Sequence, residues 1–313
     1  MRRRATGPIR ALTRLAALIR LRAADPFGGP PGASSCDPPG IDFSCDLPKI
    51  DFSCDPPGID PPLCVVGDVH GCDAQLAGLL RRIDAMPDRT RARLVFAGDL
   101  IDRGPDSAAV LARVRSLAEP TPAPGTGPGT DPGAAVAAAP PPAVCLMGNH
   151  ERMMLDFLDD PAGRGARWLS HGGIETLASL GLHGRAAGPT GPERLAALAR
   201  DARRALPPGT EDWLRALPLA WRDRHLAVSH AGGDPGRPLD DQPARALVWG
   251  HPKLARRPRA DGVWMIHGHV PGPAVRVGGG RVAVDTGAVR GGPLSAAWID
   301  AGGLTVIAEP PEV

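Results

Sequence analysis

The chain has no tyrosine, and aromatic residues make up only 4% of its 313 positions. Trp168, Trp213 and Trp221 therefore stand out as packing residues. Charge of one sign is also missing. Thirty-six Lys and Arg against 34 Asp and Glu leave a formal charge of +2, so composition gives no reason to expect a nucleic-acid partner. No stretch approaches the ~20 apolar residues of a membrane span. None of the six cysteines has Cys-x-x-Cys spacing, which argues against a zinc ribbon. Three of them fall in a repeat (Cys36, Cys45, Cys54) and three beside core motifs (Cys64, Cys72, Cys145). That usage fits a reducing cytoplasm better than a disulfide framework.

What is abundant is glycine and proline, 40 and 37 residues. They are concentrated, which reads as a folded domain with low-complexity segments attached. The length suffices for one large core or two small ones. The N-terminus to about Ala24 is Arg-rich, and Ile9, Leu12, Leu15 and Ile19 fall on one side of a helical projection. It is too short and too charged for a membrane span and lacks the uninterrupted apolar core of a secretory signal. It reads as a basic tail able to touch anionic surfaces. Residues 35–61 hold three nine-residue units beginning Ser-Cys-Asp, whose prolines oppose helix and ladder pairing. We read a duplicated linker there rather than a metal tether. The expected division is a disordered segment over 1–61 and a folded domain over 62–309. A Pro/Ala/Gly/Thr insertion over 119–142 interrupts that domain.

The folded part opens with Leu63-Cys-Val-Val, a buried strand running into Gly67. Asp73 is expected to cap a helix carrying Leu76, Leu79, Leu80 and Ile83. Leu94 to Ala97 is a second strand. Pro105 suits the first turn of a helix bearing Val110, Leu111, Val114 and Leu117. Ala143 to Met147 is a third strand, and a third helix begins at His150. Residues 160–223 read as helical. Beyond them, apolar runs at 225–230, 263–269, 281–284, 294–299 and 304–308 read as strands. This order predicts an α/β fold: a four-layer α/β/β/α sandwich of two mixed sheets flanked by helices, with ligands at strand C-termini.

Three strings sit at those strand ends: Gly-Asp-Val-His-Gly at 67–71, Gly-Asp-Leu-Ile-Asp-Arg-Gly at 98–104 and Gly-Asn-His-Glu at 148–151. They gather Asp68, His70, Asp99, Asp102, Arg103, Asn149 and His150. Carboxylate with imidazole suits Mn, Fe or Zn better than Mg or Ca. Asp99 has two oxygens and can bridge two ions, and Asn149 offers a neutral carbonyl. His230 and His269 bring more imidazole from the C-terminal strands. Two ions about 3.5–4 Å apart can clamp a phosphoryl group and acidify a shared water. Each string alone would be weak. Three in order at strand ends are hard to assemble by chance. His267 reads as a packing residue, and His171, His183 and His225 as surface or helix-terminal histidines.

These strings resemble the signature of the calcineurin-like metallophosphoesterases. The unbroken Asp-Arg-Gly and Asn-His-Glu forms are similar to the phosphoprotein phosphatase branch. Trp-Leu-Ser-His-Gly-Gly-Ile-Glu-Thr-Leu at 168–177, Ser-His-Ala-Gly-Gly at 229–233, Ile-His-Gly-His-Val-Pro at 266–271 and Val-Asp-Thr-Gly-Ala-Val at 284–289 agree with its bacterial members. The resemblance implies that Asp68, His70, His269 and the bridging Asp99 hold one ion, and Asp99, Asn149 and His230 a second. It implies His150 as the general acid, Asp102 as the group that orients it, and Arg103 as a bidentate phosphate grip. A metal-bridging hydroxide would attack phosphorus in line. One departure is His251, which stands where the pattern leads us to expect a second phosphate-binding arginine. Either Arg256 or Arg257 fills that role from a shifted loop, or the site has lost one clamp. A second, minor departure is Val270, where relatives often have threonine.

The sequence reading is therefore a hydrolase using two divalent ions, foremost Mn, on a phosphoprotein or a dinucleoside polyphosphate. A serine/threonine phosphatase leads, and a symmetrical diadenosine tetraphosphate hydrolase is the alternative. A non-catalytic binding module is a third reading, favoured only by His251.

Overall fold

The computed structural model describes residues 17–19, 55–119, 140–184, 191–259 and 261–311. The rest of the basic N-terminus, the repeat up to residue 54 and residues 120–139 of the expected insertion lie outside the described residues. Within the N-terminal stretch, β1 (Ala17–Ile19) is extended and not helical. Its backbone pairs antiparallel with residues 220–222, and that ladder outweighs the helical spacing of its apolar residues.

Strands β2 (Leu63–Val66), β3 (Arg93–Phe96) and β4 (Val144–Cys145) run parallel, side by side. β2 is buried throughout, which is why its sequence lacks polar alternation. Its side chains alternate between two apolar layers. Leu63 and Val65 face the other sheet, and Cys64 and Val66 face the helices. β4 is shorter than expected, and the Met147 N–H instead donates to the Pro218 carbonyl.

Helix α1 (Asp73–Asp84) buries Leu76, Leu79 and Ile83. Cys72, not Asp73, occupies its cap. Asp73 is the first helical residue, and Arg113 of α2 (Ser107–Ala118) donates two hydrogen bonds of 2.8 Å to its carboxylate. Pro105 lies just before α2, whose cap is Asp106. The helical stretch comprises α3 (Asn149–Asp159), α4 (Pro161–Trp168), α5 (Ile174–Ser179), α6 (Pro192–Ala205) and α7 (Thr210–Arg215). A wide turn at Leu169–Gly173, with Gly172 at φ 110°, joins α4 to α5.

Residues 220–223 were expected within that helical stretch. They form β5 (Ala220–Asp223), paired antiparallel with β6 (Leu226–Ser229), and Trp221 packs between the sheets. The chain continues through α8 (Ala244–Trp249), β7 (Trp264–His267), β8 (Arg276–Gly278), β9 (Arg281–Ala283), β10 (Leu294–Asp300) and β11 (Gly303–Glu309). Among the described residues, one sheet runs β1-β5-β6-β7-β9-β8 and the other β11-β10-β2-β3-β4. Both mix parallel and antiparallel pairs, and helices flank them, as the sequence predicts. β2, β3 and β4 of one sheet and β6 and β7 of the other deliver their following loops to the site. That is the usual place for a ligand in such sheets.

Candidate metal centre

The site is built on strained backbone. His70, Asp99, Asp102, Arg103 and His269 have φ of 46°, 53°, 73°, 69° and 67°. Such left-handed conformations cost non-glycine residues about 1–3 kcal/mol each and persist only where surroundings over-determine them. Here the surroundings do. The Val69 and His70 N–H groups both donate to the Asp99 carbonyl, at 3.1 and 2.9 Å. The buried Glu151 carboxylate accepts from the N–H of Gly148, Asp99, Leu100 and Ile101 at 3.0, 2.9, 2.7 and 3.4 Å. Glu151 thus ties the third motif to the second. Burial pushes its carboxyl up to about 7, helped by the Asp99 charge and opposed by the donors. Gly148 has to be glycine because a Cβ there would collide with the Asp99 side chain and backbone.

Asp99 lies at the middle. Its Oδ2 is 3.5 Å from His70 Nε2, 3.4 Å from His230 Nε2 and 4.0 Å from His150 Nε2. Two groups of donors share it: His70, Asp99 and His150, and Asp99, His230 and His269, with ligand atoms within 4.8 Å of one another. Asn149 Oδ1 is 3.0 Å from His230 Nε2. Asp68 accepts the His269 backbone N–H at 3.0 and 3.1 Å. The six expected ligands therefore converge on one buried region. One grouping differs from the expectation. His269 Nδ1 lies 3.1 Å from His230 Nε2, on the His230 side and not with His70. The cause is topological: His230 and His269 follow the adjacent parallel strands β6 and β7, whereas His70 follows β2 of the other sheet.

The donor set fits a pair of cations. His70 Nδ1 donates to the Ile101 carbonyl at 2.8 Å and His230 Nδ1 to the Ala97 carbonyl at 3.1 Å. Those bonds fix the tautomer, so each Nε2 presents a lone pair toward Asp99. Around His230 Nε2, lone pairs of Asn149, His269 and Asp99 then face one another, and only a proton or a metal ion can sit among them. Burial pushes the His230 imidazole down, but Asp99 outweighs it and lifts the group to about 9. Burial holds His70 down to about 3 and His269 down to about 4, and neutral imidazole is the form that binds metal.

Beside the candidate ligands stands a buried histidine–carboxylate pair. His150 Nδ1 is 2.6 Å from Asp102 Oδ2. Asp102 also accepts from Trp168 Nε1 at 3.0 and 3.1 Å and from Thr176 Oγ1 at 2.6 Å. Burial alone would push the His150 imidazole down. The Asp99 and Asp102 carboxylates outweigh burial and raise it. Arg103 spans the two halves, with Nη1 2.9 Å from His70 Nε2 and Nη2 2.9 Å from His150 Nε2. Of the other expected phosphate groups, His251 lies further out, where its Nδ1 accepts the Lys253 N–H at 3.3 Å. Arg256 and Arg257 are exposed, and neither lines the cavity that His251 and His269 share. His267 is buried, with Nδ1 donating to the Gly268 carbonyl at 2.9 Å. Sequence reasoning passed over Glu151, Thr176 and Trp168 as parts of the site, although all three lie in strings that it singled out.

The calcineurin-like phosphoesterase profile matches residues 61–273. A symmetrical bis(5'-nucleosyl)-tetraphosphatase of Janthinobacterium sp. (strain Marseille) is 32% identical over 168 residues, 53% of this chain and 42% of that protein. The protein of the same name from Bordetella pertussis (strain Tohama I) is 50% identical over 54 residues, 17% of this chain and 19% of its own. The chain thus covers less than half the length of these curated relatives. A crystal structure provisionally described as that of a diadenosine tetraphosphatase superposes with a TM-score of 0.52 at 23% identity. It covers 82% of this chain and 96% of that one, a likeness of fold. With the profile running over more than half of its length, this chain belongs to the calcineurin-like phosphoesterase family.

Proposed function

We propose that the protein is a metal-dependent hydrolase that transfers a phosphoryl group directly to water. Asp68, His70 and Asp99 would hold one divalent ion, and Asp99, Asn149, His230 and His269 the other. Manganese is the metal we favour, with iron or zinc accepted by the same ligands. Bound there, the ions supply Lewis acidity and an acidified water. The observation that carries the reading is the pairing of Arg103 with His150 at the edge of that ligand set. The Arg103 fork reaches His70 and His150 at 2.9 Å each, and a planar guanidinium binds phosphate bidentately. While Arg103 donates to Nε2, His150 carries no proton there. A phosphate oxygen that takes over Arg103 frees Nε2 to hold one. Asp102 then keeps the imidazolium charged and aimed, and His150 delivers the proton to the leaving oxygen.

Two substrate classes share these groups. The serine/threonine phosphatase reading rests on motifs common to both. The dinucleoside polyphosphate reading has additional support in the names of the curated relatives, and it is the one we favour. A reducing, cytoplasmic setting accords with the free thiols of Cys64, Cys72 and Cys145. Competing hydrolysis of diadenosine tetraphosphate and a phosphothreonine peptide tests the choice. Preferential cleavage of the dinucleotide supports it. Preferential cleavage of the peptide restores the protein phosphatase reading.

A further inference from the structure

On the His269 side of the centre lies a cavity of about 970 Å³, near the top of the roughly 300–1,000 Å³ range of small-molecule sites. His269 belongs to its wall, so it opens directly onto one of the proposed ligands. Three arginines from three elements line it: Arg245 of α8, Arg276 of β8 and Arg281 of β9. No aspartate or glutamate does. Among the described residues none of the three guanidinium groups is paired with a carboxylate. Elsewhere on the molecule such pairing is common, as for Arg82, Arg113 and Arg215. Cations gathered without partners repel one another, and an anion relieves that repulsion.

The β8–β9 hairpin fixes the geometry of two of them. Arg281 is the cross-strand partner of Gly278, and Arg276 lies two residues before Gly278 on β8. By the two-residue period, Arg276 and Arg281 share one face of the hairpin. Each is tethered by a single backbone carbonyl: Arg281 Nη1 donates to Arg257 at 2.7 Å and Arg276 Nη2 to Val270 at 3.4 Å. Most of each fork is left over. Burial lowers the basicity of Arg281, and no carboxylate offsets it. The remaining wall is largely apolar and includes Trp249. The Arg167 guanidinium lies 4.6 Å from the centroid of the Trp249 ring and steadies it.

We propose that this cavity binds one nucleoside diphosphate half of the substrate. Arg276 and Arg281 grip the phosphate beside the reacting phosphorus, and Trp249 stacks on the base. The proposal rests on the phosphoesterase reading of the adjoining centre. It also explains how the site tolerates His251 where an arginine is expected: the hairpin supplies the second clamp. The reaction balances without a co-reactant. Water oxygen bonds to phosphorus and the central P–O bond breaks. The departing nucleoside diphosphate takes its proton from His150, so one bis(nucleosyl) tetraphosphate and one water give two nucleoside diphosphates.

The test combines calorimetric titration of the full chain with ADP and steady-state kinetics on diadenosine tetraphosphate and p-nitrophenyl phosphate. Arg276→Ala and Arg281→Ala are each expected to weaken ADP binding at least tenfold. They should lower the kcat/KM ratio of dinucleotide over nitrophenyl ester by a similar factor. Trp249→Leu should weaken ADP more than pyrophosphate. Arg204→Gln, an exposed α6 arginine paired with Asp201, removes one charge and should change neither readout. Unchanged ADP affinity in both arginine variants overturns the proposal, as does a phosphopeptide whose turnover falls as far as that of the dinucleotide. Absent turnover on every ester, with ADP binding still lost in the variants, would sink the phosphoesterase reading and leave the cavity assignment standing.

Discussion

Glu151 shows at the scale of one residue what motif reading can and cannot find. It closes the Gly-Asn-His-Glu string, yet its carboxylate reaches neither His150 nor Arg103. It gathers four backbone N–H groups and so holds Asp99 in a left-handed turn. The candidate ligands were legible because their side-chain chemistry announces them. Glu151 was not, because its partners are backbone groups that carry no sequence identity, as is also true of the carbonyls that orient His70 and His230. Glu151→Gln would point an NH₂ at N–H donors and leave buried groups unpaired, at about 1–3 kcal/mol each. We expect a lower melting temperature and fewer than two ions per chain by metal analysis. A variant with full metal content and an unshifted melt would show that Asp99 does not depend on it.

At the scale of elements, the turn between α4 and α5 does more than connect them. Its Gly172 has φ 110°, and its carbonyl accepts the Arg103 N–H at 3.2 Å. A Cβ at Gly172 would press on the backbone and side chain of Arg103. Gly172→Ala should therefore lower kcat/KM by about tenfold or more, the equivalent of about 1–2 kcal/mol of strain carried into Arg103, the proposed phosphate grip. Circular dichroism and melting checked beside the kinetics separate this from unfolding. Activity at the wild-type level would contradict it. β2, α1, β3 and α2 were legible because their apolar residues follow a clear period of two or of 3.6. β5 was not. Ala220-Trp-Arg-Asp follows the five helices α3 to α7, and only its pairing with β1 and β6 makes it a strand. β8 escaped as well, since Arg-Val-Gly is too short and too exposed to show a pattern.

At the scale of the whole molecule, the layered architecture was legible but the strand order was not. β10 pairs antiparallel with β2, so the C-terminal strands complete the sheet that the N-terminal motifs begin. Pairing across more than 200 residues leaves no local trace. No helix among the described residues is long and apolar enough to cross a membrane.

The helical layer is held together at its surface by Arg215 and Arg203 between Asp159 and Glu211. Hydrogen bonding to Arg215 holds Asp159 below the usual carboxylate range. At Glu211 burial pushes upward, but the two arginines win and the group is also lowered. Depressed folded values mean stabilisation that is present above the unfolded pKa values, about 3.9 and 4.3. It is lost as pH falls through the folded values. These groups are half-exposed, so solvent screening limits the effect to about 1 kcal/mol. Arg215→Ala should melt below the wild type at neutral pH, and the gap should close in acid. A gap that widens in acid would contradict the assignment.

We propose that the shared Asp99 holds two ions beside a protonating His150. The most direct test is Mn-dependent hydrolysis of p-nitrophenyl phosphate by the full chain, beside Asp99→Asn and His150→Asn. We predict turnover that chelation abolishes and manganese restores. Asp99→Asn should lose metal and activity together. His150→Asn should keep its metal and lose about 10²–10⁴ in kcat on an ester whose leaving group needs a proton, with a smaller loss on nitrophenyl. Turnover that survives chelation, or an Asp99→Asn variant as active as the wild type, would contradict the account.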